Sequence, residues 1–116
     1  MYNKVFLIGR LVKDPEIRVT VSGITVARFT IAIDRIKRKD QENNQTDFIN
    51  VVAWRRLGEI AGEYLKKGKL VSIEGSLRID TYQKDGEERQ WIEVVTDTFQ
   101  MLDRASDQIK EEELTA

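Results

Sequence analysis

Hydrophobic and polar residues alternate with period two along most of the chain, the pattern of strands with one buried and one exposed face. Val5-Phe6-Leu7-Ile8-Gly9-Arg10-Leu11 reads as a buried strand, with Gly9 marking a bulge or a bend. Asp14-Pro15 punctuates the chain after it, and Val21-Ser22-Gly23 reads as a turn. From Val26 to Asp34, Ala27, Phe29, Ile31 and Ile33 fall on one face and Arg28, Thr30 and Ala32 on the other. Residues 35–45 are polar and charged and predict a long exposed loop. Thr46–Trp54 resumes the alternation. Between Arg55 and Lys67 the spacing becomes helical, with Leu57, Ile60, Ala61, Tyr64 and Leu65 on one stripe. Gly68 is expected just past the helix end, with Lys66 and Lys67 at the negative pole of its dipole. Leu70–Tyr82 and Glu88–Phe99 form two more strands. Asp85-Gly86 between them suits a two-residue hairpin turn. Five strands with one helix between the third and fourth is an all-β layout, that of the OB-fold, a five-stranded Greek-key barrel.

Composition narrows the chemistry. The 116 residues are 41% hydrophobic and 34% charged, as expected of one folded domain. There is no Cys and no His, which removes disulfides, thiolate nucleophiles, His-based triads and Cys/His metal sites. No Gly-rich phosphate loop of the GxxxxGK[ST] type appears. An enzyme is therefore not expected, nor a cofactor or metal. No apolar run approaches the ~18 residues of a membrane span. The apolar start, Val5 to Ile8, is shorter than the roughly 7–15 residues of a signal-peptide core. A cytoplasmic, nucleoid-associated protein without membrane partners is the expectation. The net charge is −1, but residues 103–116 hold two basic against five acidic residues, leaving 17 against 15 in residues 1–102. A mildly positive body with an acidic tail is common in proteins that meet polyanions.

The faces of the strands point to a ligand. In Thr46–Trp54, Ile49, Val51 and Ala53 supply a core face, so Phe48, Asn50, Val52 and Trp54 lie opposite it. Phe48 and Trp54 would then stand roughly 20 Å apart along one surface, spaced to stack different bases of one strand. The plainer alternative makes both ordinary core or subunit-interface aromatics. In the hairpin, a two-residue turn sets Ile79 opposite Ile92 and Leu77 opposite Val94, an apolar face expected to join the core. The other face pairs Arg78 with Glu93, Asp80 with Trp91 and Tyr82 with Arg89. It is either a solvated salt-bridge ladder or a surface where Tyr82 and Trp91 stack bases beside Arg89. Basic residues interleave with these aromatics: Arg10, Lys13, Arg28, Arg35, Lys37, Arg56 and Lys67. Each taken alone is a solvated cation. Together with outward aromatics they form what sequence-tolerant single-strand binding needs, cations for phosphates and π-faces for bases. The one helix carries no base-reading pattern for a duplex groove.

The chain resembles the bacterial single-stranded DNA-binding protein family over residues 2–103. The resemblance rests on Asn3-Lys4-Val5 with Gly9-Arg10-Leu11 and Asp14-Pro15-Glu16, on Asp47-Phe48-Ile49-Asn50-Val51-Val52 followed by Trp54, on Glu63-Tyr64-Leu65-Lys66-Lys67-Gly68, and on Glu93-Val94-Val95 with Phe99-Gln100-Met101-Leu102. It implies the OB barrel, assembly as a homotetramer wrapped by single-stranded DNA, and roles in replication, recombination and repair. It also implies base stacking at Phe48, Trp54 and Tyr82. A fourth family aromatic has no counterpart near Asp34-Arg35-Ile36-Lys37, where Lys37 would contact a phosphate instead. Trp91 is this chain's own candidate, from the hairpin register. Residues 1–103 are expected to form the binding domain and 104–116 a short, disordered acidic tail. That tail ends Glu111-Glu112-Glu113-Leu114-Thr115-Ala116 without the family's terminal Pro-Phe pair. The expectation is a short accessory binder, phage-borne or plasmid-borne, with weakened docking of replication and repair proteins. An OB-fold adaptor working through protein contacts, like the related primosomal proteins, and an RNA chaperone are the alternatives.

Overall fold

The computed structural model describes residues 1–36 and 45–103. Its elements run β1 (Val5–Leu11), β2 (Glu16–Val19), β3 (Thr25–Asp34), β4 (Thr46–Trp54), α1 (Arg56–Tyr64), β5 (Leu70–Lys84) and β6 (Glu87–Met101). The strands form one sheet in the order β1-β5-β6-β4-β3-β2, and β1 also pairs with β3. That last pairing closes β1, β5, β6, β4 and β3 into a ring, the five-stranded barrel expected from the alternation.

β2 is the element that the periodicity does not reveal. Glu16-Ile17-Arg18-Val19 pairs with Thr25–Arg28 on the edge of β3 that β1 uses farther along, at Ile31 and Ala32. All four of its residues are exposed, so it has no buried face to leave an alternating signal. Gly9 does not mark a bulge: β1 keeps regular register with β5 through it, and the register shift lies at Glu74/Gly75.

The barrel interior is built from the parities that the alternation predicts. Leu11, Ala27, Phe29, Ile31, Val51, Ala53, Val71, Ile73 and Val94 pack together, with Ile33 and Ile49 against them. Burying a large aliphatic side chain such as Ile31 or Ile73 is worth about 1.5–3 kcal/mol. α1 adds Ala61 and Leu65 to this core. The chain enters α1 through Arg55, whose φ of 58° is uncommon for a residue with a side chain. Its amide donates to the Thr25 carbonyl at 2.8 Å, and its own carbonyl accepts from Glu59.

The helix is shorter than its apolar spacing suggests. It stops at Tyr64, Leu65 is already extended, and no basic residue lies in its last turn. Gly68 is therefore not the helix's closing residue, and Lys66 and Lys67 do not sit on its dipole. Instead Lys66–Lys69 make a separate turn, Lys69 N donating to Lys66 O at 3.1 Å with Gly68 at φ 88°. Asp14 Oδ1 accepts from the Lys67 amide at 2.8 Å, tying that turn to the loop after β1. Leu65 packs into the core from an extended backbone, at φ −84° and ψ 139°.

The β5–β6 hairpin turns at Asp85 and Gly86 with φ of 53° and 77°, the two positive values that a type I′ turn requires. Its register is Ile79↔Ile92, Asp80↔Trp91 and Tyr82↔Arg89, as the two-residue turn implies. One expectation fails. Leu77, Ile79 and Ile92 do not reach the core; Ile79 is 52% and Ile92 48% exposed. The hairpin is longer than the barrel wall, and of these four facing residues only Val94, nearest its base, is enclosed.

Candidate nucleic-acid interface

Strand register decides which outward side chains meet. Across β1, β3 and β4, Arg10 pairs with Ala32 and Ala32 with Phe48, so Arg10 and Phe48 share one outer face about 10 Å apart. On the same face Thr30 pairs with Asn50, Arg28 with Val52 and Val26 with Trp54. Thr30 Oγ1 donates to Asn50 Oδ1 at 3.2 Å. β6 joins β4 in parallel at Val51↔Val94 and Val52↔Val95. Val51 and Val94 face inward, so Trp91, Glu93 and Val95 point outward beside Asn50 and Val52. The face of the hairpin that holds Asp80, Tyr82, Arg89 and Trp91 is thus continuous with the outer face of β4.

Phe48 is 65% exposed, and Tyr82 and Trp91 are also exposed; Trp54 is half-buried. None of the four belongs to the core. Val52, between Phe48 and Trp54 on this face, is fully buried, so the surface is ridged rather than uniformly wet.

The cations have different circumstances. Arg10 donates to the Gly68 carbonyl at 3.1 Å, joining the Lys66–Lys69 turn to the end of the outer face. Arg56 lies 3.4 Å from Glu59, and Arg89 lies 3.6 Å from Glu87; exposed pairs of this kind are weak and readily exchanged for a phosphate. Lys13 lines a cleft with Arg28, Thr30, Asn50 and Trp91. Arg35 is committed: its guanidinium meets Asp47 through two hydrogen bonds and Gln45 through a third. The hydrogen bond from Arg35 holds the Asp47 carboxyl below its ordinary range, against a small opposing effect of burial. Lys37 lies outside the described residues, as does the acidic stretch 104–116.

Alternation alone sets Glu93 opposite Arg78 and predicts a solvated pair. Glu93 is instead 2% exposed. It accepts from Trp91 Nε1 at 3.0 Å and stands 3.6 Å from Arg28 Nε. Arg78 pairs with Asp80 on its own strand, at 3.1 Å. The cause is the parallel β4–β6 contact, which carries β3 and its Arg28 to within reach of β6 across Val52. Nothing in the local sequence of either strand signals that approach. Among the described residues, no cluster of three or more Asp, Glu, His or Cys is placed to hold a metal ion.

Aromatics and cations sharing one outer face of a small closed barrel match a known group of proteins. Residues 2–102 match the model of the single-strand binding protein family. The chain belongs to that family. Among its relatives, a single-stranded DNA-binding protein of Thermotoga maritima is 46% identical over 106 residues, covering 89% of this chain and 75% of the relative. Single-stranded DNA-binding protein 2 of Streptococcus agalactiae is 42% identical over 106 residues, covering 91% and 81%. A single-stranded DNA-binding protein of Oceanobacillus iheyensis is 40% identical over 109 residues, covering 93% and 68%. The family is one of binding proteins rather than enzymes, and the barrel carrying the match is the OB-fold. No helix among the described residues is long and apolar enough to cross a membrane.

Proposed function

We propose that the chain binds single-stranded DNA irrespective of sequence and protects it during replication, recombination or repair. Bases stack on Phe48, Trp54, Tyr82 and Trp91, and phosphates lie against Arg10, Lys13, Arg28, Arg56, Lys67 and Arg89. The observation that carries this reading is the continuity of one outer face across β1, β3, β4 and the hairpin. Four aromatics outside the core give the π-faces such binding needs, each stacked base contributing about 1–3 kcal/mol. The names of the relatives agree with it. The protein's place in this reading is the cytoplasm, with the nucleoid.

Homotetramer assembly belongs to the same proposal. Phe6 and Ile8 on the outer side of β1, and Leu77, Ile79 and Ile92 on the hairpin face opposite Trp91, leave apolar surface exposed, and surface of that kind marks protein contacts.

Trp54 and Trp91 are the only tryptophans, so intrinsic fluorescence reports the stacking face directly. Titration with oligo(dT) is expected to quench it strongly, with duplex DNA giving little change and oligo(U) a weaker one. Equal quenching by oligo(U) would favour an RNA-binding role. No quenching by any of the three would make the apolar surfaces, and hence an adaptor role, the main activity.

A further inference from the structure

Among the described residues, the Glu93 carboxylate uses only one of its oxygens. The contacts from Trp91 Nε1 and Arg28 Nε both fall on Oε2. Oε1 has no hydrogen-bond partner among the described residues, yet it is not one of the buried polar atoms cut off from solvent. Glu93 lines a cleft of about 250 Å³ with Lys13, Arg28, Thr30, Asn50 and Trp91, and Oε1 is the oxygen that these contacts leave over for a ligand there. An ionised carboxylate only accepts hydrogen bonds, and one held in place with a spare oxygen beside an indole ring suits a planar ligand carrying a donor.

The bases differ in what they can offer such an oxygen. Thymine has a single N3–H flanked by two carbonyl oxygens, which a carboxylate repels. Guanine presents N1–H and N2–H side by side and is best met by two acceptor oxygens, one of which Trp91 already occupies. Cytosine offers its N4 amino group, for which Glu is the fitting acceptor. Adenine also offers an amino group, N6, but is best met by the paired acceptor and donor of an Asn or Gln amide, which a carboxylate lacks.

We propose that this cleft reads the exocyclic amino group of a cytosine stacked on Trp91, with Glu93 Oε1 accepting from N4 and with Lys13 and Arg28 at the rim against the adjoining phosphates. The inference rests on the single-stranded DNA-binding reading above and adds one base-selective position to an otherwise sequence-tolerant surface. The Trp91–Glu93 hydrogen bond holds both the ring and the carboxylate in place, so the oxygen is presented without reorganisation.

The test uses the full 116-residue chain and end-labelled oligonucleotides read by fluorescence anisotropy. Three probes share one length: oligo(dT), oligo(dT) with cytidines at intervals, and the same with 2-pyrimidinone nucleosides, which are cytosine without the amino group. A hydrogen bond to a charged acceptor predicts that the cytosine probe binds about tenfold more tightly than the 2-pyrimidinone probe. Glu93→Gln is expected to bring those two within about twofold, because its amide keeps an oxygen toward Trp91 and turns a donor into the cleft.

Should that variant fail to fold, Trp91→Phe decides: it frees Oε2, so guanine-bearing oligonucleotides should gain on cytosine-bearing ones. Equal binding of the cytosine and 2-pyrimidinone probes by the unaltered protein overturns the proposal. So does a difference that survives Glu93→Gln, or a Trp91→Phe protein without the shift toward guanine. Loss of only this distinction, with oligo(dT) still bound tightly, leaves the general binding reading standing. Failure to bind oligo(dT) at all removes both.

Discussion

Arg35 grips Asp47 through two parallel hydrogen bonds, Nε to Oδ2 at 3.0 Å and a terminal nitrogen to Oδ1 at 2.9 Å. The two residues stand on either side of residues 37–44, the stretch that joins β3 to β4. Asp47 precedes the stacking residue Phe48 on β4 but belongs to the opposite face of the strand, so the clasp joins the end of β3 to the start of β4 while neutralising the cation.

That pairing sets a pH dependence. The hydrogen bond from Arg35 keeps the Asp47 carboxyl below its ordinary value of 3.8. A carboxyl whose folded value is depressed contributes stability while it is ionised in both states, and that contribution is lost as pH falls through 3.8 toward the folded value. Urea unfolding of the native chain and of Asp47→Asn, followed from neutral pH downward, should show a constant difference that shrinks only in this acid window. A difference that grew on acidification would contradict the pairing. The same variant releases Arg35 for a phosphate, so the salt dependence of oligo(dT) binding should steepen by about 0.7 in log–log slope.

Gly58 offers a test of packing in which the sign reverses. Alanine in place of a helical glycine ordinarily stabilises by about 0.8–1 kcal/mol. Here a Cβ would stand 2.7 Å from the Ala53 carbonyl oxygen and 3.1 Å from that of Thr25, both backbone atoms of the barrel wall. Gly58→Ala is therefore expected to cost about 1–3 kcal/mol in chemical denaturation. A gain in stability would mean that α1 stands farther from the barrel.

The exposed apolar face of the hairpin should govern assembly rather than folding. Ile79→Lys with Ile92→Lys places two like charges opposite one another, since these residues pair across β5 and β6, on surface the barrel does not cover. Sedimentation should give a species smaller than that of the unaltered chain, while the far-ultraviolet dichroism of the barrel persists. An oligomer unchanged by both substitutions would move the proposed subunit contact to Phe6 and Ile8.

Much of this protein is legible in its sequence, for physical reasons that can be named. Alternation needs only one buried and one exposed face per strand, so β3, β4 and their core residues, Ile31 and Val51 among them, follow from parity; β1 reads as a buried strand, yet Phe6 and Ile8 are exposed because its outer face is left uncovered. The Asp85-Gly86 turn sets the hairpin register because few residue pairs adopt two positive φ values. The family likeness is carried by local motifs and was visible in the same way.

What parity could not supply was contact between elements distant along the chain. β2 gave no signal because its four residues are all exposed, and its pairing exists only where β3 offers an edge. The length of the hairpin beyond the barrel left Ile79 and Ile92 uncovered, although their spacing is that of core residues. The helix stopped at Tyr64, with Leu65 extended, although the apolar spacing runs on through Leu65. Above all, the parallel meeting of β4 and β6 brought Arg28 to Glu93 and turned an expected surface pair into a buried acceptor beside Trp91. Side-chain period is a property of one strand and can be read from it, whereas the partner of a buried charge is a property of the closed barrel.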